Sequence, residues 1–144
     1  MVKFLLEHGR DVRATVVGWG GTVLHDVAVN GNVEVARLLV EKGAELEVRE
    51  SSGWTPLHGA ACEGKVEMVQ FLIEKGVKLD VQEKDGGTPL RIAAENGHEK
   101  VVELLLANGA KTDLADKDGL TPLGAAVAEK QERIAEILRQ HGAR

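Results

Sequence analysis

The side chains that could do chemistry in this 144-residue chain are five histidines and one cysteine. His25 and His58 each follow a threonine by three residues, where a side chain can bond back to the start of a helix, and this predicts a structural role. The other histidines stand next to turns, without acidic or cysteine partners at metal-ligand spacing: His8, His98 and His141. No His-Glu-x-x-His motif is present, so the histidines indicate neither a metal site nor a catalytic base.

Two other features could be mistaken for chemical sites. Cys62 holds a position taken by other residue types elsewhere in the chain, and nothing around it indicates an activated thiolate. Residues 18–21, Gly-Trp-Gly-Gly, lack the preceding strand and the Lys-Ser/Thr pair of a phosphate-binding loop, so they predict an irregular turn. The sequence therefore predicts a protein that is not an enzyme and that needs no cofactor and no metal.

A repeated tripeptide organises the chain. Thr-Pro-Leu occurs at 55–57, 88–90 and 121–123, and Thr-Val-Leu at 22–24, so the threonines are 33 residues apart each time. A fixed period of this size predicts a solenoid. Threonine is a good helix N-cap and proline suits the first helical position, so each copy is expected to open a helix and to direct its leucine into the core.

The same pattern follows each copy. Small residues such as Ala60 and Ala61 predict a short helix that lies close to its neighbours. A glycine such as Gly64 then suits a turn with positive φ, and the apolar spacing from Val66 to Ile73 predicts a second, amphipathic helix. Glycine closes that helix, and roughly ten residues of alternating character predict an extended turn or hairpin.

These motifs resemble the ankyrin repeat. The likeness is carried by residues 53–64, Gly-Trp-Thr-Pro-Leu-His-Gly-Ala-Ala-Cys-Glu-Gly, and by residues 85–98, Asp-Gly-Gly-Thr-Pro-Leu-Arg-Ile-Ala-Ala-Glu-Asn-Gly-His. It covers nearly the whole chain and implies an all-α ankyrin-repeat solenoid, in which stacked helix–turn–helix units carry short projecting β-hairpin or turn loops. It also implies a non-catalytic scaffold that binds a protein partner through the concave face.

We expect a single domain over 1–144, made of half a repeat and four repeats. The expected units are a partial repeat at 1–14, repeat 1 at 15–50, repeat 2 at 51–83, repeat 3 at 84–116 and a C-terminal capping repeat at 117–144. One extra residue lies between Arg10 and Gly21, so the N-terminal end is expected to be the least regular and least stable part. Lys130 replaces the interhelical glycine, which leaves the geometry of that turn open. A polar outer face is expected from Glu132, Arg133, Glu136, Arg139 and Gln140.

Composition narrows the class of partner. The chain is 43% hydrophobic and 28% charged, which is typical of a globular domain. Its formal net charge is −5 and no run of lysine or arginine occurs, which argues against nucleic-acid binding. No apolar run is long enough to span a membrane. A single cysteine cannot form an internal disulfide and favours an intracellular, cytoplasmic location, with the nucleus left open.

The candidate contact residues are positions that vary while the repeat frame stays fixed. In proteins similar to ankyrin these positions line the concave face formed by the hairpin tips and first helices. The resemblance implies protein contacts at Trp19, Ser51, Ser52, Trp54, Gly59, Cys62, Glu63, Lys84, Asp85, Ile92, Glu95, Asn96, Lys117, Asp118, Leu120 and Ala125. Trp54 and Leu120 share one position, and tryptophan is enriched at binding hot spots. Packing of Trp54 over the next hairpin explains it equally well.

Two further questions stay open in the sequence. The hairpins are mildly acidic, which could favour a basic partner, but charge that prevents edge-to-edge pairing explains the acidity better.

The alternative to a binding scaffold is an excised or engineered array with no dedicated partner. Such an array would be a monomer or associate weakly through an uncapped N-terminal end, whose apolar residues are Met1, Val2, Phe4, Leu5 and Leu6.

Overall fold

Residues 20–143, the part of the chain that the computed structural model describes, form four helical pairs. The helices are α1 (Val23–Asn30), α2 (Val33–Glu41), α3 (Pro56–Cys62), α4 (Val66–Glu74), α5 (Pro89–Glu95), α6 (Glu99–Ala107), α7 (Pro122–Ala128) and α8 (Glu132–Gln140). No strand occurs between residues 20 and 143, so the projecting loops there are turns rather than β-hairpins. The predicted all-α solenoid is confirmed.

Threonine opens each first helix, as predicted. Thr55 Oγ1 accepts the backbone N–H of His58 at 3.4 Å, and His58 Nδ1 accepts the backbone N–H of Thr55 at 3.1 Å. Thr88 and Thr121 each accept the N–H three residues on, at 3.2 Å and 3.1 Å. Proline occupies the first position of α3, α5 and α7, where no N–H is needed. A threonine cap stabilises a helix by about 1 kcal/mol, so the repeated motif fixes where each pair begins.

The core is a continuous strip that runs through all four pairs. First helices pack on first helices and second helices on second helices along the chain. The leucine of each Thr-Pro-Leu enters this strip, and Leu57 and Leu90 are 2% and 1% exposed. Ala60 and Ala61 beside them are fully buried, because only small side chains fit between helices of adjacent repeats. Each pair therefore buries its apolar face against its neighbours.

A residue in the left-handed conformation joins the two helices of each pair. Gly31, Gly64 and Gly97 have φ values of 78°, 68° and 79°. They also leave room for the next repeat, since a Cβ on Gly64 would lie 2.5 Å from the ring of His98. Lys130 adopts the same conformation, with φ of 58°. The turn at Lys130, whose geometry the sequence left open, therefore keeps the conformation of the glycine turns, although that conformation disfavours a side chain.

Acidic side chains close the turns between pairs. Glu50 donates its N–H to the Trp54 carbonyl at 2.9 Å, and its carboxylate accepts the Trp54 N–H at 3.0 Å. The turns at 83–87 and 116–120 repeat both bonds. Each turn is thus fixed by backbone and side chain together.

Neighbouring turns are also bonded to one another. Lys84 donates its backbone N–H to the Ser52 carbonyl at 3.0 Å, and Lys117 donates to the Asp85 carbonyl at 2.9 Å. Because each bond joins adjacent repeats, the three turns lie side by side along one edge of the stack.

Of the two ends for which the sequence makes predictions, only the C-terminal one lies within the described residues. The partial repeat at 1–14, the irregular turn at 18–21 with its Trp19, and the apolar group that begins at Met1 all lie wholly or mainly outside the described residues. At the other end the predicted polar side chains of α8 are exposed: Glu132, Arg133, Glu136, Arg139 and Gln140. Val127 beside them is 53% exposed.

Replacing Leu57 by alanine should lower the free energy of unfolding by ~2–5 kcal/mol, because it leaves a cavity between stacked first helices. Denaturant unfolding followed by circular dichroism measures the loss. Val127→Ala is the control, since a side chain that is 53% exposed should change stability by less than about 0.5 kcal/mol. Equal losses for the two variants would contradict a core that runs between the repeats.

Replacing Lys130 by glycine should raise the free energy of unfolding by about 0.5–1 kcal/mol, because relief of the left-handed strain exceeds the added chain entropy. Gly97→Ala is the opposite test at the equivalent position. Its Cβ would lie 2.9 Å from the Gln131 amide nitrogen, so it should destabilise by more than about 1 kcal/mol. Thermal melts of both variants check the pair, and destabilisation by Lys130→Gly would refute the strain argument.

Candidate functional site

A groove of about 360 Å³ lies along the turns and first helices. It is walled by the turns at 83–87 and 116–120 and by helices α3 and α5. The predicted contact residues that line it are Trp54, Cys62, Asp85, Ile92, Glu95, Asn96, Lys117 and Asp118. Residues from three successive repeats are therefore brought together in one concavity by the 33-residue period.

Trp54 separates this groove from a smaller cavity of about 120 Å³, and lines both. The smaller cavity is bordered by Asp26, Val29 and Glu50. The Trp54 ring lies 5.9 Å from that of His58, centroid to centroid, with the planes tilted by 38°. Trp54 is only partly buried, so it both packs on its own repeat and offers surface to the two cavities.

Three predicted contact residues are buried, so each of them is also a packing position of the fold. Gly59, Ile92 and Ala125 share one position in the first helices, and Ile92 and Ala125 are 5% and 2% exposed. A Cβ on Gly59 would lie 3.0 Å from Cγ2 of Val29 in the preceding repeat. The position therefore varies with its packing neighbour. Of the three, Ile92 alone lines the groove, as part of its floor.

The other predicted residues lie beside the groove or outside the described chain. The exposed ones are Ser51, Ser52, Glu63 and Lys84, of which Ser52 lines the smaller cavity. Leu120 is half-buried and packs over Gly124, where a Cβ would lie 3.3 Å from the leucine Cδ2. Leu120 thus packs on the start of α7 and does not line the groove that Trp54 lines.

Arg91 is a groove residue that the sequence analysis missed. Its Nη1 pairs with Glu95 at 3.2 Å, and its Nη2 pairs with Asp116 at 3.1 Å. The side chains of Arg91 and Asp116 are 21% and 5% exposed, so the second pair is shielded from water. Arg91 Nε is buried without a hydrogen-bond partner in the described part of the chain. The signal was available, because Arg91 stands where the first two repeats carry histidine.

The groove carries more negative than positive charge. Its titratable lining comprises Glu83, Asp85, Glu95, Asp116 and Asp118 against Arg91 and Lys117, a formal excess of three negative charges. Lys117 Nζ lies 2.6 Å from Asp85 Oδ1 on the exposed rim. That hydrogen bond lowers the pKa of Asp85 and raises the pKa of Lys117, so both are ionised at neutral pH.

Acidic side chains in the loops also form hydrogen bonds that stabilise the fold. The sequence analysis had explained these acids only as charges that prevent edge-to-edge pairing. Glu47 accepts the backbone N–H of Lys78 at 2.7 Å, and Asp80 accepts that of Lys111 at 2.9 Å. Both bonds cross from one repeat to the next. Acidic residues in these loops are therefore structural as well as charged.

Cys62 is half-buried and unreactive in character. Burial raises the pKa of its thiol, and the nearby Glu63 and Glu95 add to the shift. Asn96 Nδ2 lies 3.6 Å from the sulfur. A thiol with a raised pKa is a poor nucleophile at neutral pH, in agreement with the sequence interpretation.

Within residues 20–143, no group of three or more histidine, cysteine, aspartate or glutamate side chains is arranged to hold a metal ion. In the same part of the chain, no helix has the length and apolar character needed to cross a bilayer.

A larger cavity of about 530 Å³ lies between α7 and α8 on the outer face of the fourth pair. It is bordered by Val127, Lys130 and Arg139 and includes none of the predicted contact residues. The equivalent face of each preceding pair packs against the next repeat, so this cavity belongs to the stacking surface.

The structure defines a class of protein, a stack of helix–turn–helix repeats with a groove along its turns and first helices. The family model described as Ankyrin repeats (3 copies) matches residues 1–83 and 60–144, and the chain belongs to the ankyrin repeat family. Potassium channel AKT3 of Oryza sativa subsp. japonica is 41% identical over 49 residues, which are 34% of this chain and 5% of the channel. The chain thus spans a small part of that relative. Ankyrin repeats are generally protein-interaction modules and typically non-catalytic.

His58 is a buried titratable group beneath the groove. Its Nε2 lies 3.1 Å from the Gly87 carbonyl oxygen, while Nδ1 accepts the Thr55 N–H, so the neutral ring carries its proton on Nε2. Burial lowers the pKa of His58, although the bond to Gly87 opposes the shift. The neutral ring thus joins one repeat to the next turn.

We expect the free energy of unfolding to fall as pH drops below about 6.5, because the unfolded chain then protonates its histidine while folded His58 stays neutral. The loss should continue until pH reaches the lowered pKa of the folded state. Denaturant titrations at about pH 7.5 and about pH 5.5 measure it. His58→Gln should show a smaller drop than the unsubstituted chain, while exposed His141→Gln should keep the full drop. Equal drops in all three proteins would exclude His58 as the source.

Proposed function

We propose that this chain is a non-catalytic scaffold that binds a protein partner through the groove beside Trp54. The observation that carries the proposal is the convergence of three successive repeats on one concavity of about 360 Å³. Its walls are turns, whose exposed tips offer both charge and backbone to a second chain. Trp54 supplies a large, partly exposed aromatic surface at one end. Aromatic anchors of this kind carry much of the affinity at protein interfaces.

Rigidity supports the same proposal. The turn at 83–87 is closed by Glu83 and bonded through Lys84 to the preceding repeat. The turn at 116–120 is closed by Asp116, which is also held by Arg91. Groove walls that are fixed before binding lose little conformational entropy when a partner arrives. We place the scaffold inside the cell, in the cytoplasm or nucleus, in keeping with its single half-buried thiol.

Trp54→Ala should weaken partner capture at least tenfold, since removal of a hot-spot tryptophan costs about 2 kcal/mol or more. The chain and its variant are immobilised separately, and proteins retained from cell lysate are quantified by mass spectrometry. The helical circular dichroism of the variant should be unchanged, because the tryptophan precedes α3 rather than filling the core.

Lys100→Ala is the matched control on the second-helix side, where the side chain is exposed and outside the groove. Proteins held through the groove should be retained by this variant and lost from Trp54→Ala. If every retained protein binds both variants equally well, the groove is not the binding site.

A further inference from the structure

We infer that the groove takes a cationic segment of the partner, with a lysine or arginine side chain lying along Trp54. This inference rests on the proposed function and specifies the chemistry of the partner. It is carried by charge complementarity, by the position of Trp54 and by the apolar surface next to it.

The negative charge of the chain is concentrated around Trp54. The groove has a formal excess of three negative charges, and the smaller cavity on the other side of Trp54 adds Asp26 and Glu50 without any lysine or arginine. Together the two cavities carry an excess of five, which equals the formal net charge of −5 for all 144 residues. The remainder of the chain is therefore balanced, and a cationic segment is attracted to this face rather than to the surface as a whole.

The hydrogen bonds of these acids do not cancel their charge. Partial burial of Glu50 opposes its ionisation, but hydrogen bonds from Ser52 and Trp54 prevail and lower the pKa of Glu50. Glu83 accepts the Gly87 N–H at 2.7 Å in the equivalent turn. Backbone N–H groups favour the ionised carboxylate while leaving its full negative charge. The groove therefore presents carboxylates that a neutral or acidic segment would leave uncompensated.

Trp54 and Val29 provide the apolar surface that a long basic side chain needs. Val29 is 40% exposed and borders the smaller cavity together with Trp54. Lysine and arginine lay their methylene stems along apolar surface while the charged head stays near water or carboxylates. A cation over the face of a tryptophan gains further attraction from the ring quadrupole. The position of Trp54 between two acidic cavities satisfies both requirements.

Selection from a random twelve-residue peptide display library tests the inference with the full chain as bait. We expect the enriched peptides to be rich in lysine and arginine and to be lost when Trp54→Ala is the bait. Enriched peptides that are neutral or acidic but still need Trp54 would overturn the cationic partner and leave the proposed function standing. Peptides that bind Trp54→Ala equally well, or no enrichment at all, would overturn both.

A charge-neutralising pair sharpens the test with one enriched peptide, synthesised and labelled with fluorescein. Asp85→Asn with Asp118→Asn removes two rim carboxylates, neither of which accepts a hydrogen bond from a backbone N–H within residues 20–143. Binding by fluorescence anisotropy should weaken about fivefold, because two exposed charge pairs at about 0.5 kcal/mol each sum to about 1 kcal/mol.

The matched control is Glu67→Gln with Glu103→Gln, two exposed acids on second helices outside both cavities. It makes the same change in net charge and should alter affinity less than about twofold. Equal weakening by the two pairs would show that the peptide responds to overall charge, and would overturn the assignment of the groove.

Discussion

The stack depends on polar bonds between repeats, and in the first two repeats one of these bonds runs from the start of the first helix to the turn of the next repeat. His25 Nε2 lies 3.1 Å from the Trp54 carbonyl oxygen, and His58 makes the equivalent bond one repeat later. In the third repeat Arg91 replaces the histidine and reaches the carboxylate of Asp116 instead. A helical pair cannot bury its apolar face alone. These polar bonds fix the position of each helical pair against the next pair. They therefore also set the spacing of the turns.

The groove follows from that spacing. Turns that lie side by side leave the groove between their tips and the first helices. The residues that close the turns form its walls. Glu83 and Asp116 accept backbone N–H groups as part of the fold, and both carboxylates also line the groove. The same carboxylates therefore close the turns and give the groove its negative charge. A surface built in this way is ordered before any partner arrives, and its affinity is not reduced by the cost of arranging it.

The frame of the molecule could be predicted because its signals are local. Threonine and proline determine where a helix begins within a few residues, and the 33-residue period repeats that information four times. The groove was harder to predict from the sequence, because its side chains contact residues that lie about one repeat away along the chain. Nothing near Arg91 in the sequence points to Asp116, and the burial of Gly59 depends on Val29 in the preceding repeat. Positions whose residue type differs between repeats include both exposed residues and packing residues. The sequence alone could not distinguish these two kinds of position.

The position shared by Trp54, Gly87 and Leu120 shows how a fixed frame produces a particular groove. A Cβ on Gly87 would lie 3.0 Å from Glu83 Oε1 and 3.5 Å from Arg91 Nη1. The backbone of Gly87 is not in the left-handed region, so its conformation does not exclude a side chain. A side chain at this position would lie against the ends of the Glu83 and Arg91 side chains, which line the groove. The turn at 83–87 therefore carries no apolar side chain at the position where the turns before and after it present Trp54 and Leu120.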